Sequence, residues 1–227
     1  QTRVHDVTTS EASMTLRYAP GESFVNSKQR RVPVSLDAPV FTLTHAMGFK
    51  GVLGGEYNFN RTEASIWKRF WLPASWGKID CSVKAGAEWN TVPFPLLILP
   101  EANLSYITQR ETFCLINNME FLNDRFASMS ISYDMNGKLF NRIPLLKNLK
   151  WREMFRVRAL WGTLTDKNNP FKSSNPDLFR FPTRDGKFTS FVMDPKVPYV
   201  EASVGIYNIF KLLHVEYVHR FTYRDNP

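Results

Sequence analysis

Residues 78–90 read KIDCSVKAGAEWN, and the side chains alternate without a break. Ile79, Cys81, Val83, Ala85, Ala87 and Trp89 form one set; Lys78, Asp80, Ser82, Lys84, Gly86, Glu88 and Asn90 form the other. Successive side chains of an extended chain point to opposite faces, so this period predicts a strand with one apolar and one polar face. Strands of soluble proteins commonly run to about 5–6 residues. This one is twice that length.

The pattern recurs along the chain. It is clean at 11–18, 126–136 and 199–208, and it can be followed through 40–49, 57–72, 112–122, 151–163 and 212–224. With 78–90 that makes about nine two-sided antiparallel strands and almost no helical periodicity. In 57–72, Arg61, Glu63, Ser65 and Arg69 oppose Ala64, Ile66, Phe70 and Leu72. Lys68 falls on the apolar side near the strand end, where a long side chain can snorkel to a polar boundary. Asn123-Asp124 and Asn208 to Lys211 read as short turns. Residues 137–150 suit a short amphipathic segment on a membrane surface, or a connector capping a soluble core. The stretch 165–195 has no strand pattern and reads as a long loop. Domain organisation follows: a first strand and long loop over 1–38, then barrel strands over 39–227.

No apolar run approaches the roughly 18–20 residues of a spanning helix; the longest, 92–100, is short and broken by proline. A transmembrane barrel needs only about 9–11 residues per strand, with alternate ones apolar. The composition fits that economy: 43% hydrophobic and 14% aromatic residues coexist with a mean hydropathy of -0.30. The net charge of +8 is spread along strands and loops, with no recognition helix or basic patch, so nucleic acid is not an expected partner. Cys81 and Cys114 have no metal-type spacing and are expected as free thiols inside strand patterns rather than as a disulfide. The opening QTRVHDVTTS has neither apolar segment nor cleavage site, so no signal peptide is read there.

Which face is the core decides the class. A soluble sandwich or barrel buries the apolar face; a membrane barrel turns it outward. Strand length favours the membrane. So do aromatic residues near strand ends: Trp71, Trp89, Trp151 and Trp161, with Tyr18, Phe70, Tyr133 and Tyr223, resemble interfacial girdles. The polar faces carry both signs of charge, and Arg61, Glu63, Lys84, Glu88, Glu120, Arg156, Arg158, Glu201, Glu216 and Arg220 form a candidate lumen cluster. The row Arg152, Arg156, Arg158 is expected opposite Glu201, Glu216 or Asp134, holding strands in register and closing the bore; attraction of an anionic passenger is the alternative.

Catalytic, cofactor and metal residues are not found. His5, His45, His214 and His219 are the only histidines, and the last two fall on opposite faces of a strand. GVLGGEY (51–57) lacks the lysine and helix of a phosphate loop. A carboxylate pair such as Glu63 with Glu120 would need proximity in the fold. A lipid-modifying barrel enzyme would need a serine or histidine at a strand end beside a carboxylate.

The stretches NRTEASIWKRFWL (60–72), VPFPLLILPEANLSY (92–106), FLNDRFAS (121–128), LFNRIPLLKNLKWRE (139–153), LTDKNNP (164–170) and EYVHRFTYRDNP (216–227) resemble the C-terminal barrel of a Bacteroidota outer-membrane family of unknown function. In that family a carboxypeptidase-regulatory-like domain precedes the barrel, which is distantly similar to surface-antigen and assembly-factor barrels. The likeness runs from about Pro39 to the end. It implies an incomplete, up-and-down transmembrane barrel in the bacterial outer membrane, without enzymatic activity or cofactor. Its partners would be the lipid bilayer and other outer-membrane or periplasmic proteins. Envelope biogenesis or translocation of protein, lipid or solute is the implied role. The alternative is a soluble exported β-sandwich or barrel that binds a ligand or partner through 165–195.

Overall fold

The computed structural model describes residues 6–226 except 27, 106, 108, 110, 173, 176, 177, 182 and 185; His5 lies outside the described residues. Eight strands form one antiparallel sheet: β1 (Glu11–Tyr18), β2 (Val40–Gly48), β3 (Phe59–Trp71), β4 (Lys78–Glu88), β5 (Arg125–Asp134), β6 (Arg152–Thr163), β7 (Tyr199–Ile209) and β8 (Leu213–Arg220). Each strand pairs with its neighbours in sequence, so the sheet is a simple meander. Alternation does specify these strands: the registers Ile66↔Val83, Val83↔Met129 and Met129↔Ala159 keep apolar beside apolar, and Ser82↔Ser130 and Ser130↔Arg158 keep polar beside polar. Two short hairpins, Phe24–Asn26 with Arg31–Pro33 and Thr183–Arg184 with Lys187–Phe188, stand apart.

The sheet is open, with the unpaired edges expected of an incomplete barrel: no ladder joins β1 to β8 among the described residues. One expectation is corrected: residues 112–122 are no strand, which lowers the expected nine to eight. Met119 has φ +59 and the chain turns at Asn117–Glu120, breaking the extended run. Asn123-Asp124 is accordingly no hairpin turn, and Cys114 sits in a connection. The short link after β7 is as expected, with Asn208, Phe210 and Lys211 in the left-handed region and a register shift beside it. A helix, α1 (Pro144–Leu149), lies within 137–150, started by proline in its first turn and ended by left-handed Lys150.

The faces of the sheet are unlike. Connections 89–124 and 164–198 fold over the polar face and bury it. Beneath them, Phe59, Val92, Leu97, Leu122, Leu164 and Phe181 make one apolar cluster, and Phe113, Ile116, Phe121, Leu160, Met193 and Tyr199 make another. The stretch 165–195 is therefore largely a cover, with Asn168, Phe181, Ser190 and Met193 buried, rather than a free loop. The middle of the opposite face has no cover among the described residues: Val83, Val157 and Val204 are 44%, 43% and 46% exposed. Ile66, Leu43, Phe155, Val215 and Tyr217 are exposed beside them. This bare face spans all eight strands. Lys68, at its margin, donates from Nζ to the Asp37 carbonyl at 2.6 Å.

Candidate functional site: the covered polar face

Alternation directs Arg and Glu side chains from β3 to β8 under the covering connections, where an unpaired charge is costly. They are paired locally. Arg158 donates to Glu201 at 2.8 Å across β6 and β7, and Arg156 to Glu216 of β8 at 3.0 Å. Lys84 meets Glu101 at 2.6 Å and Glu111 at 3.6 Å. The Arg61 Nε lies 3.6 Å from Glu88, and Arg220 pairs with Glu120. Glu63 lines a cavity of about 390 Å³ next to Arg61. All ten candidate lumen residues thus belong to this face or its cover: eight form four separate pairs, Lys84 pairs with Glu101 and Glu111 of the cover, and Glu63 lines the cavity. Glu63 and Glu120 do not form a carboxylate pair: Glu120 is taken by Arg220, Asn226 and the Asn117 amide.

Several of these groups fasten the cover to the sheet. Glu201 accepts the amides of Cys114 and Leu115 at 2.9 and 3.1 Å, besides the Tyr199 hydroxyl at 2.9 Å. Arg220 donates to the Leu115 carbonyl at 3.0 Å. Asp124 accepts from the Thr165 amide at 3.1 Å and from Asn168 Nδ2 at 2.9 Å, while Asn168 Oδ1 accepts the Val92 amide at 2.8 Å. Burial pushes the Cys114 thiol up, partly offset by the neighbouring Arg158. Cys81, on the bare face, is also free.

Sequence reasoning did not single out Glu101, Glu111, Asp124, Asn168, Tyr199 or Ser203. The first four lie in connections, where no period marks the inward side. Of the three carboxylates offered for the arginine row, Glu201 and Glu216 take Arg158 and Arg156, while Asp134 serves Tyr207 at 2.6 Å and Lys78 at 3.7 Å. The pair Arg69–Asp80, at 2.6 and 2.9 Å, completes this region.

At the other end of the same face the cover stops, leaving a cavity of about 750 Å³ lined by Trp67, Arg69, Asp80, Ser132, Asp134, Arg156, Tyr207 and His214 among others. Here Ser203 donates to Glu216, and His214 Nε2 lies 3.6 Å from the same carboxylate. The carboxylate stands between hydroxyl and imidazole, so His214 is not positioned to take the serine proton as a nucleophilic triad requires. Among the described residues no group of three His, Cys, Asp or Glu can hold a metal.

The aromatic candidates divide. Trp89 and Trp161 belong to the bare face at the filled end, and Trp89 donates to Thr62 Oγ1 at 2.9 Å. Trp151 directly precedes β6 and is partly buried. Trp71 ends β3 on the polar side, with the Arg69 guanidinium 5.5 Å from its ring. Tyr223 is corrected: it lies beyond β8, donates to the Val197 carbonyl at 2.7 Å and packs edge-on to Phe121.

The class is therefore an all-β protein built on one antiparallel meander with a charged, covered face and an apolar, bare one. The chain belongs to the family of unknown function DUF5686, whose C-terminal-domain model matches residues 2–171. That match takes in β1, well before the expected start near Pro39. No curated protein matches the chain, and no solved structure does.

Proposed function

We propose that this chain is a non-enzymatic section of a bacterial outer-membrane β-barrel, with its bare face in lipid and its covered face turned to the lumen. The observation that carries the reading is the inversion of burial: Arg158, Glu201, Glu88 and Glu120 are sealed while Val83, Val157 and Val204 stand open. Exposed apolar patches on soluble monomers rarely exceed a few hundred Å², and this one covers a sheet of eight strands. The five central strands have 13, 11, 10, 12 and 11 residues, enough to cross a bilayer when tilted. In hydrocarbon an unpaired strand edge is untenable, so the β1 and β8 edges are closed there, by each other or by further strands. The resemblance to Bacteroidota outer-membrane barrels supports the same location.

The paired charges favour a plug over a catalytic centre. The resemblance to that outer-membrane family is what supports a role in envelope biogenesis or in moving protein, lipid or solute. Size-exclusion chromatography with and without detergent tests the reading. Aggregation on detergent removal, with recovery in vesicles, is expected. A preparation that stays monodisperse in plain buffer would overturn it.

A further inference from the structure

The two ends of the sheet differ in charge. At the filled end, connections 49–58, 89–124 and 164–198 contain eight basic and nine acidic residues. At the end with the larger cavity, connections 19–39, 72–77, 135–151 and 210–212 contain eight basic and two acidic residues. Half of those basic residues fall in 135–151, which has no acidic residue at all. This segment is held against its neighbours. Lys138 donates to the Ala74 carbonyl at 2.8 Å and lies 5.1 Å from the Trp76 ring, and Asn208 Nδ2 donates to the Lys150 carbonyl at 2.8 Å. Three connections thus form one surface.

On that surface cations alternate with exposed apolar side chains. Leu145 is 76% exposed between Arg142 and Lys147, and Phe210 and Leu212 stand exposed on either side of Lys211. Among the described residues no ion pair engages Arg142, Lys147, Lys150 or Lys211. Basic side chains beside apolar ones that sink to the acyl boundary match an anionic headgroup layer.

Building on the membrane reading above, we propose that this end docks on anionic phospholipid headgroups. Arg142, Lys147, Lys150 and Lys211 meet lipid phosphates, and Leu145, Phe210 and Leu212 enter the boundary below them.

The test uses the full chain folded into phosphatidylcholine vesicles with and without phosphatidylglycerol, unfolded by urea, alongside K147Q/K150Q/K211Q. These exposed side chains hold no strands together, so the variant should fold. Phosphatidylglycerol is expected to raise the urea midpoint of the parent, less so at high salt, and to leave the triple variant unmoved. Equal midpoints in the two lipids, or a shift retained by the variant, would overturn the headgroup site while leaving the membrane reading intact. Protection by soluble glycerol phosphate on phosphatidylcholine vesicles would overturn it too, since the site would then be one for free anions. A chain that enters neither vesicle and needs no detergent would remove both readings.

Discussion

Arg158 and Glu201 face each other across β6 and β7 at 2.8 Å, with side chains 2% and 1% exposed. Glu201 also holds two amides of the covering segment. Removing one member of a sealed pair costs about 3–5 kcal/mol. R158L should lower stability by that order in urea titrations of the folded protein. R158L/E201Q should recover part of the loss, because no unpaired charge remains buried and the carboxamide oxygen still accepts one of the two amides of the cover.

The bare face gives a sharper discrimination than solubility alone. Val83 and Val204 are close to half exposed, so in water an arginine there should change stability by no more than about 0.5 kcal/mol. Near the midplane of a bilayer it should cost about 2–4 kcal/mol. Urea midpoints of V83R and V204R in vesicles distinguish the two environments.

Packing on the covered face depends on glycine beneath rings. A Cβ at Gly86 would lie 2.5 Å from Phe126 Cε1, and β4 pairs these residues with β5 directly. G86A should destabilise by about 1–3 kcal/mol through overpacking. In G86A/F126L the penalty should shrink, which a double-mutant cycle would measure.

Asp124 joins two covers that are far apart in sequence. D124A removes the acceptor for Thr165 and Asn168, and through Asn168 loosens the Val92 amide. Hydrogen exchange at Thr165 and Val92 should quicken, while amides in the middle of β4 and β5 keep their protection.

Burial holds the Cys114 thiol above its ordinary range. The thiolate therefore appears only as pH rises past that range, and alkylation at neutral pH should be slow. In a C81S background, iodoacetamide labelling of Cys114 should climb at higher pH than that of a free thiol. Replacing Arg158, whose charge favours the thiolate, should delay it further.

The strands were legible because period two is a direct imprint of a two-faced surface. Residues 78–90 announced β4 almost to the residue, and Arg156 and Arg158 announced their carboxylate partners. The covers were not legible. Within 112–122 the residues Phe113, Leu115, Met119 and Phe121 imitate a strand, although Met119 bends the chain out of extension. Asp124 and Asn168 carry no periodic mark, because their partners are backbone groups brought near only by the fold. Several of the stretches that carried the resemblance meet here. FLNDRFAS supplies Asp124, LTDKNNP supplies Asn168, VPFPLLILPEANLSY supplies Val92, and EYVHRFTYRDNP supplies Arg220 for Glu120.

The fasteners of 113–123 come late in the chain: Glu201 is 87 residues after Cys114, and Arg220 is 100 after Glu120. Ribbon growth through β6 consequently leaves the insert without its last two anchors, and seating must wait for the final hairpin to arrive. Assembly ends by locking its own interior, so a nascent or truncated chain that stops short of β7 keeps an unlatched cover.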